Sequence, residues 1–202
     1  MGVGAVSKEF ALQNAFSGVM LRSVGVCWDL RRTLPYDGYE NLEFAIPVGR
    51  FGDSYDRYLL RMEEMRQSVK IIFQALDRLS QTEMLEIDPN IFSFYRLQNA
   101  KYVAPSRSFL KYSMESLIHH FKLYSEGVLI PQNEVYIPVE SPKGEFGVHL
   151  VSNGTNKPER CRIRAPGFFH LQALVTMAQG VMLPDLVTLI GTLDVVFGEI
   201  DR

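Results

Sequence analysis

No stretch of the 202 residues comes near the roughly 18 consecutive apolar side chains that a membrane-spanning helix needs. Cysteine is almost missing. Cys27 and Cys161 stand far apart, which excludes a cysteine cluster for iron–sulfur and reads as two free, buried thiols in a reducing compartment. Neither sign of charge dominates: 21 Lys and Arg against 23 Asp and Glu give a formal net charge of −2, so there is no electrostatic case for nucleic acid as a partner. GxGxxG, the P-loop and HExxH are absent. His119 and His120 are adjacent and point about 100° apart on a helix, with no carboxylate or third histidine to complete a metal site. The N-terminus is not Arg-rich, so no transit or signal peptide is evident. Val6 stands where N-myristoylation after Met1-Gly2 needs Ser or Thr. What is present is a globular composition, 47% hydrophobic and 22% charged, in a length that fits one domain or one large fragment.

Residues 1–52 read as packed loops and turns. In 16–32, FSGVMLRSVGVCWDLRR, apolar residues alternate with Arg22, Asp29, Arg31 and Arg32. Charges placed so are partly buried and must be paired. They form an internal salt-bridge cluster, a charged surface facing a partner subunit or a proton-related network. Pro35, Gly38, Pro47, Gly49 and Gly52 mark turns, with Leu42–Ile46 a short strand or extended arm. Residues 53–127 read as two long helices. The first, from Asp53, carries a stripe at Tyr55, Leu59, Met62, Met65, Val69, Ile72, Phe73, Leu76 and Leu79; over about seven turns it is a structural spine, with Met62 and Met65 as core filler. Residues 80–107 lose the pattern and form a long functional or partner-bound loop. The second helix runs from about Ser108 to Glu126 and stops at Gly127.

Residues 134–164 alternate as a small antiparallel sheet with strands Glu134–Glu140, Phe146–Ser152 and Arg160–Arg164. Lys143 sits at its first corner, placed to present a charge. Residues 166–202 hold short helices, one opening at Pro166-Gly167 and one near Pro184. They end in a buried C-terminal segment, GTLDVVFGEIDR (191–202), apolar and then sharply charged where an ordinary terminus is polar and frays.

That segment resembles the Asp-Pro-Cys-x-x-Cys ending of nickel–iron hydrogenase large subunits, with Asp194 kept, Val195 in the proline place, and Val196 and Glu199 where the two thiolates stand. Valine and a lone glutamate do not replace two soft sulfur ligands for nickel, so no metal is expected there. An emptied hydrogenase site is the mark of the quinone-pocket subunit of NADH:ubiquinone oxidoreductase, respiratory complex I. FSGVMLR (16–22), WDLRR (28–32), PYDGY (35–39), RMEEMRQS (61–68), SMESLIHHFKLYSEG (113–127), PKGEFGVHLVSNG (142–154) and RIRAPGFFHLQ (162–172) all resemble that subunit, in order. The retained MESLIHHFKLY is closer to the mitochondrial form than to its chloroplast relative. Two departures stand out: Ser23 and Val24 follow MLR where the family has glycine first, and the 80–107 stretch is longer than usual.

The resemblance implies an α+β, mostly helical fold, the C-terminal half of a hydrogenase large-subunit-like architecture with a small antiparallel sheet. It implies a share in the cavity where electrons from NADH reach ubiquinone, coupled to proton translocation by the whole complex. No residue of this chain is expected to be catalytic and no cofactor to be bound by it; an iron–sulfur cluster in the adjacent subunit donates the electrons. Val196, Phe197 and Gly198 are expected to form the quinone-pocket wall, Val196 and Glu199 to occupy the former metal-ligand positions, and Arg22, Asp29, Arg31, Arg32 and Lys143 to make a charged network. The family's first half is not in this sequence. It is expected as a separate chain, the subunit being split, with other complex I subunits, including the membrane arm, as further partners. The expected location is the mitochondrial inner membrane, on the matrix-side peripheral arm. A rival reading keeps the family but makes the chain a structural scaffold without quinone contact.

Overall fold

Short helices of four to six residues, rather than loops alone, organise the first fifty residues. The computed structural model describes residues 2–84 and 103–201. The chain is about half helical, with one three-stranded antiparallel sheet. Its helices are α1 (Lys8–Gln13), α2 (Val19–Arg22), α3 (Leu30–Thr33), α4 (Ser54–Met84), α5 (Met114–Ser125), α6 (Pro166–Gln172), α7 (Leu174–Met177), α8 (Leu183–Leu193) and α9 (Phe197–Asp201). Strands β1 (Asn133–Ser141), β2 (Gly144–Ser152) and β3 (Arg160–Arg164) lie in that order. Two compact units result: Met1–Ala75 with Tyr136–Val148 and Ile163–Arg202, and Leu76–Val135 with His149–Arg162.

The first unit is built on side chains from both ends of the sequence. Val6, Ala11, Phe16, Met20, Leu21, Ala173, Met177, Leu189 and Leu193 form its buried cluster. Leu189 and Leu193, at 0% and 1% exposure, are one turn apart on α8 and each contributes roughly 2 kcal/mol of burial. Ser7 caps α1 by accepting the Phe10 N–H at 3.2 Å, and Asp29 caps α3 by accepting the Arg31 N–H at 2.9 Å; short helices depend on such caps. Every residue of α2 is buried. Ser23, the departure from the family's glycine, is accommodated there, its hydroxyl donating to the Met20 carbonyl at 2.9 Å. Leu42–Ile46 is not a strand; side chains of α4 serve its backbone, Gln74 accepting the Glu43 N–H at 2.8 Å and Gln67 the Ala45 N–H at 3.0 Å.

In the second unit α5 begins at Met114, after a single 3₁₀ turn at Phe109–Lys111, rather than at Ser108. The reason is local: Ser113 is extended and its hydroxyl accepts the Ser116 N–H at 3.3 Å, so the α-helix starts there. Gly127, at φ +77°, donates back to the Lys122 carbonyl at 3.0 Å and stops it, as a left-handed glycine does. His149 and Glu134 meet at 2.6 Å.

Two expectations about α4 change. The helix continues through 80–84 to Met84, so the long loop does not start at 80; residues 85–102 of the predicted loop lie outside the described residues. The apolar stripe is not core. Tyr55, Leu59, Met65, Val69, Ile72, Phe73, Leu76 and Leu79 are all exposed. The helix is held instead by another face, through buried Ser54, Arg57 and Leu60. Arg57 is fully buried and donates to the Gly4 carbonyl at 2.6 Å and the Gly52 carbonyl at 2.8 Å. No carboxylate among the described residues bridges it, and desolvation draws its guanidinium down to about 10.

Candidate functional site

Helix α8 ends because Asp194 takes the left-handed conformation, φ +54°, which Asp tolerates better than most residues. Its carboxylate is shared. Lys143 Nζ stands 2.8 Å from Oδ1 and donates to the Asp194 carbonyl at 2.8 Å; Arg61 reaches Oδ2 at 3.4 Å and the Thr192 carbonyl at 3.1 Å. Four residues after Val195, Glu199 Oε1 accepts the Gly167 N–H at 3.0 Å, at the start of α6. An acid at a helix start complements the dipole and an orphan donor. A side chain at Gly167 would crowd this carboxylate, standing 3.0 Å from Oε2.

Between these anchors Val195 packs on the core, but Val196 is 45% and Phe197 75% exposed, and Gly198 is exposed as well. The expected buried C-terminal segment is therefore buried only through Leu193. Past the turn at Asp194, Val196 is left about half exposed and Phe197 mostly exposed among the described residues.

Arg22, Asp29 and Arg31 come together in one charged cluster with Glu64 and Glu140. Arg22 is 2% and Asp29 1% exposed. Arg22 donates through Nε to Glu64 at 2.9 Å, and through Nη1 to Glu140 at 2.8 Å and the Trp28 carbonyl at 3.0 Å. Arg31 grips Asp29 with two bonds, 3.0 Å and 2.7 Å. Glu140 Oε2 also accepts the Leu30 N–H at 3.3 Å. Burial pushes the Glu140 carboxyl above its ordinary range against the pull of Arg22. Asp29 is held below its ordinary value by the Arg31 hydrogen bonds and charge, with desolvation opposing.

Two expected members lie elsewhere. Arg32 donates to the Phe44 carbonyl at 2.8 Å and lies over the Phe44 ring at 4.8 Å, which takes up its charge without a carboxylate of the cluster. Lys143 belongs to the Asp194 anchor. Glu64 and Glu140 are members that sequence reasoning misses. Their signal is the glutamates flanking the sheet corner and inside RMEEMRQS, off the apolar stripe of the helix.

Arg22, Arg31, Arg61, Glu64 and Glu140 line a cleft of about 580 Å³. Arg61 and Glu64, one turn apart on α4, tie the Asp194 anchor to the charged cluster. Tyr39, Met65, Ser68, Ser141 and Pro142 complete its walls, and Val196 and Phe197 are not among them.

Beside the corner, His170 is 1% exposed. Its Nε2 accepts the Ser17 N–H at 3.3 Å, so the neutral ring carries its proton on Nδ1, and Phe16 packs edge-on at 5.4 Å. Burial lowers its pKa from 6.5 to about 4. Between those values the unfolded chain binds a proton that the folded chain refuses. Stability is therefore expected to fall as pH drops from 6.5 to about 4, by about 3 kcal/mol in total. Denaturant midpoints measured across that range should decline in the native chain and decline less in His170→Gln.

The thiols Cys27 and Cys161 are exposed, not buried as expected: each sits outside the apolar cluster, the former on the loop before α3 and the latter on the edge strand β3. No group of three or more His, Cys, Asp or Glu suited to a metal ion occurs among the described residues. His120 stacks on Tyr124 at 4.6 Å.

In this α+β chain the closing segment runs from a carboxylate held by a lysine and an arginine to one held at a helix start. A sequence profile of one family, the 49 kDa subunit of respiratory-chain NADH dehydrogenase, matches residues 1–202. The chain is 58% identical over 200 residues to an NADH-quinone oxidoreductase subunit of Ehrlichia chaffeensis, covering 99% of this chain and 48% of that protein. It is 56% identical over 200 residues to the NADH-ubiquinone oxidoreductase 49 kDa subunit of Reclinomonas americana, with the same coverage of 99% and 48%. With the 49 kDa subunit from Prototheca wickerhamii identity is 54% over 200 residues, covering 99% and 47%. The chain belongs to the family of 49 kDa subunits of respiratory-chain NADH dehydrogenase. It spans about half the length of the curated relatives it matches.

Proposed function

We propose that this chain is part of the quinone-binding module of an NADH:ubiquinone oxidoreductase, with Val196, Phe197 and Gly198 contributing to the wall of the ubiquinone-reduction cavity. The observation that carries the reading is the exposure of Val196 and Phe197 between two fixed carboxylates, in a member of this family. An apolar wall suits a quinone ring and tail, as ligand pockets are mainly apolar. The hydrogenase-like ancestry of the fold belongs to the same proposal. Electrons come from an iron–sulfur cluster in an adjacent subunit; the rest of the family's length and further subunits enclose the cavity; proton translocation is a property of the whole assembly. The location is the matrix face of the mitochondrial inner membrane, in the peripheral arm. No helix among the described residues is long and apolar enough to cross a membrane.

The scaffold reading is favoured by one observation, that the charged cleft does not include Val196. Val196→Met decides between them. A methionine in the wall should change the concentration of a quinone-site inhibitor needed for half-inhibition by roughly fivefold, the equivalent of about 1 kcal/mol of altered packing. Unchanged inhibition in fully assembled enzyme favours the scaffold.

A further inference from the structure

We infer that Asp194 and Glu199 are positioning residues that clamp the closing segment on either side of Val196 and Phe197, the first through Lys143 and Arg61 and the second through the Gly167 N–H. The inference rests on the wall reading above. Val196 and Phe197 bury too little of their own surface to fix their place: they are 45% and 75% exposed. The residues that flank them are tied to three separate elements. Asp194 meets the β1–β2 corner through Lys143, at 2.8 Å to both its carboxylate and its carbonyl. It meets α4 through Arg61 at 3.4 Å. Glu199 meets the start of α6 at 3.0 Å.

The chemistry of the two ends differs. At Asp194 the chain reverses in a left-handed turn, φ +54°, and each carboxylate oxygen has its own cation, so charge-assisted bonds hold the turn. At Glu199 the bond is to a backbone N–H that a seven-residue helix leaves unpaired, and the missing side chain at Gly167 lets the carboxylate approach. Neither carboxylate needs to touch quinone. Glu199 caps the start of a helix.

The test uses the assembled enzyme in membranes, with a short-chain ubiquinone analogue as substrate, and variants Glu199→Ala, Glu199→Gln, Lys143→Met and Lys143→Arg. Two readouts are taken: KM against kcat for the analogue, and hydrogen exchange of the 195–200 amides. Glu199→Ala and Lys143→Met should each accelerate exchange there and raise KM about fivefold, the equivalent of one lost hydrogen bond of about 1 kcal/mol, with kcat changed less. Glu199→Gln keeps an oxygen for Gly167 and Lys143→Arg keeps a donor for Asp194, so both should recover most of the native KM.

Exchange that stays native in both loss variants overturns the clamp. So does a KM that rises as much in Glu199→Gln as in Glu199→Ala. If Val196→Met shifts inhibition while the loss variants leave KM and exchange native, the clamp is wrong and the wall stands. If exchange rises but neither KM nor Val196→Met inhibition moves, the clamp holds the segment and the wall reading is what failed. Should Lys143→Met assemble poorly, the Glu199 pair carries the same decision.

Discussion

Arg22→Met is expected to destabilise the chain by about 3–5 kcal/mol, the range for removing one partner of a buried ion cluster. The loss is not that of one bridge. Among the described residues Arg22 is the cation that bridges both Glu64 and Glu140, and Arg31 is engaged with Asp29. Without Arg22, Glu140 would be a carboxylate at 4% side-chain exposure next to Asp29, with the Leu30 N–H as a donor at 3.3 Å. Its pKa, already above the ordinary range through burial, would rise further, and the group would fold only as the neutral acid. The variant should consequently regain part of its stability as pH falls from that raised value towards the ordinary carboxylate range, set against the loss through His170 that it shares with the native chain below pH 6.5. Adding Glu140→Gln to Arg22→Met should recover part of the deficit, because it removes the orphaned charge rather than the pair. Protease resistance and steady-state level of the three variants, compared at two pH values, measure this. A loss below about 1 kcal/mol, the scale of an exposed pair, would mean the cluster is solvated.

How far these features are legible in the sequence varies with the physics behind each. The three strands are readable because alternation has period 2 and their ends carry turn residues; β1 and β2 differ from the expected limits by one or two residues. Helix α4 is readable as a helix, but its orientation is not. Its stripe announces an apolar face, yet what the described residues bury is the face of Ser54, Arg57 and Leu60. Periodicity reports that a helix has sides and does not say which neighbour each side meets. The Arg22–Asp29–Arg31 part of the network is legible because charges among apolar residues in a short stretch need partners close by. Glu64 and Glu140, 42 and 118 residues from Arg22, can be found only in three dimensions. The closing segment stands out in the sequence as an apolar run that turns sharply charged; the hydrogen bond of Glu199 to Gly167, across 32 residues, does not.

Gly18→Ala is expected to be as damaging as the loss of Arg22, for a reason that involves no charge. Gly18 has φ +62° and ψ −139°, a conformation that residues with a side chain rarely adopt, at a penalty of about 1–3 kcal/mol. Its backbone also lies against the sheet corner. A Cβ would stand 2.6 Å from Gly144 Cα and 3.0 Å from the Lys143 carbonyl, atoms that cannot rotate away. Overpacking against backbone adds roughly 1–3 kcal/mol more, so the chain must either unfold or move the corner. Neighbouring bonds make moving it expensive: Ser17 Oγ accepts the Glu145 N–H at 3.0 Å and the Ser17 N–H is committed to His170. A displaced corner would carry Lys143 away from Asp194, so this substitution, far from the closing segment in sequence, should loosen the 194–199 backbone as Lys143→Met does. Gly25→Ala is the comparison that isolates the contact. Gly25 also has a positive φ, +90°, but its nearest neighbour to an added Cβ is the Gly49 carbonyl at 3.8 Å, so only the conformational penalty of about 1–2 kcal/mol applies. Equal protease resistance of the two variants would show that strain alone matters at Gly18; a markedly weaker Gly18→Ala, with faster exchange at 194–199, would show that the second residue of the FSGVMLR stretch after phenylalanine is glycine because the corner bearing Lys143 rests on it.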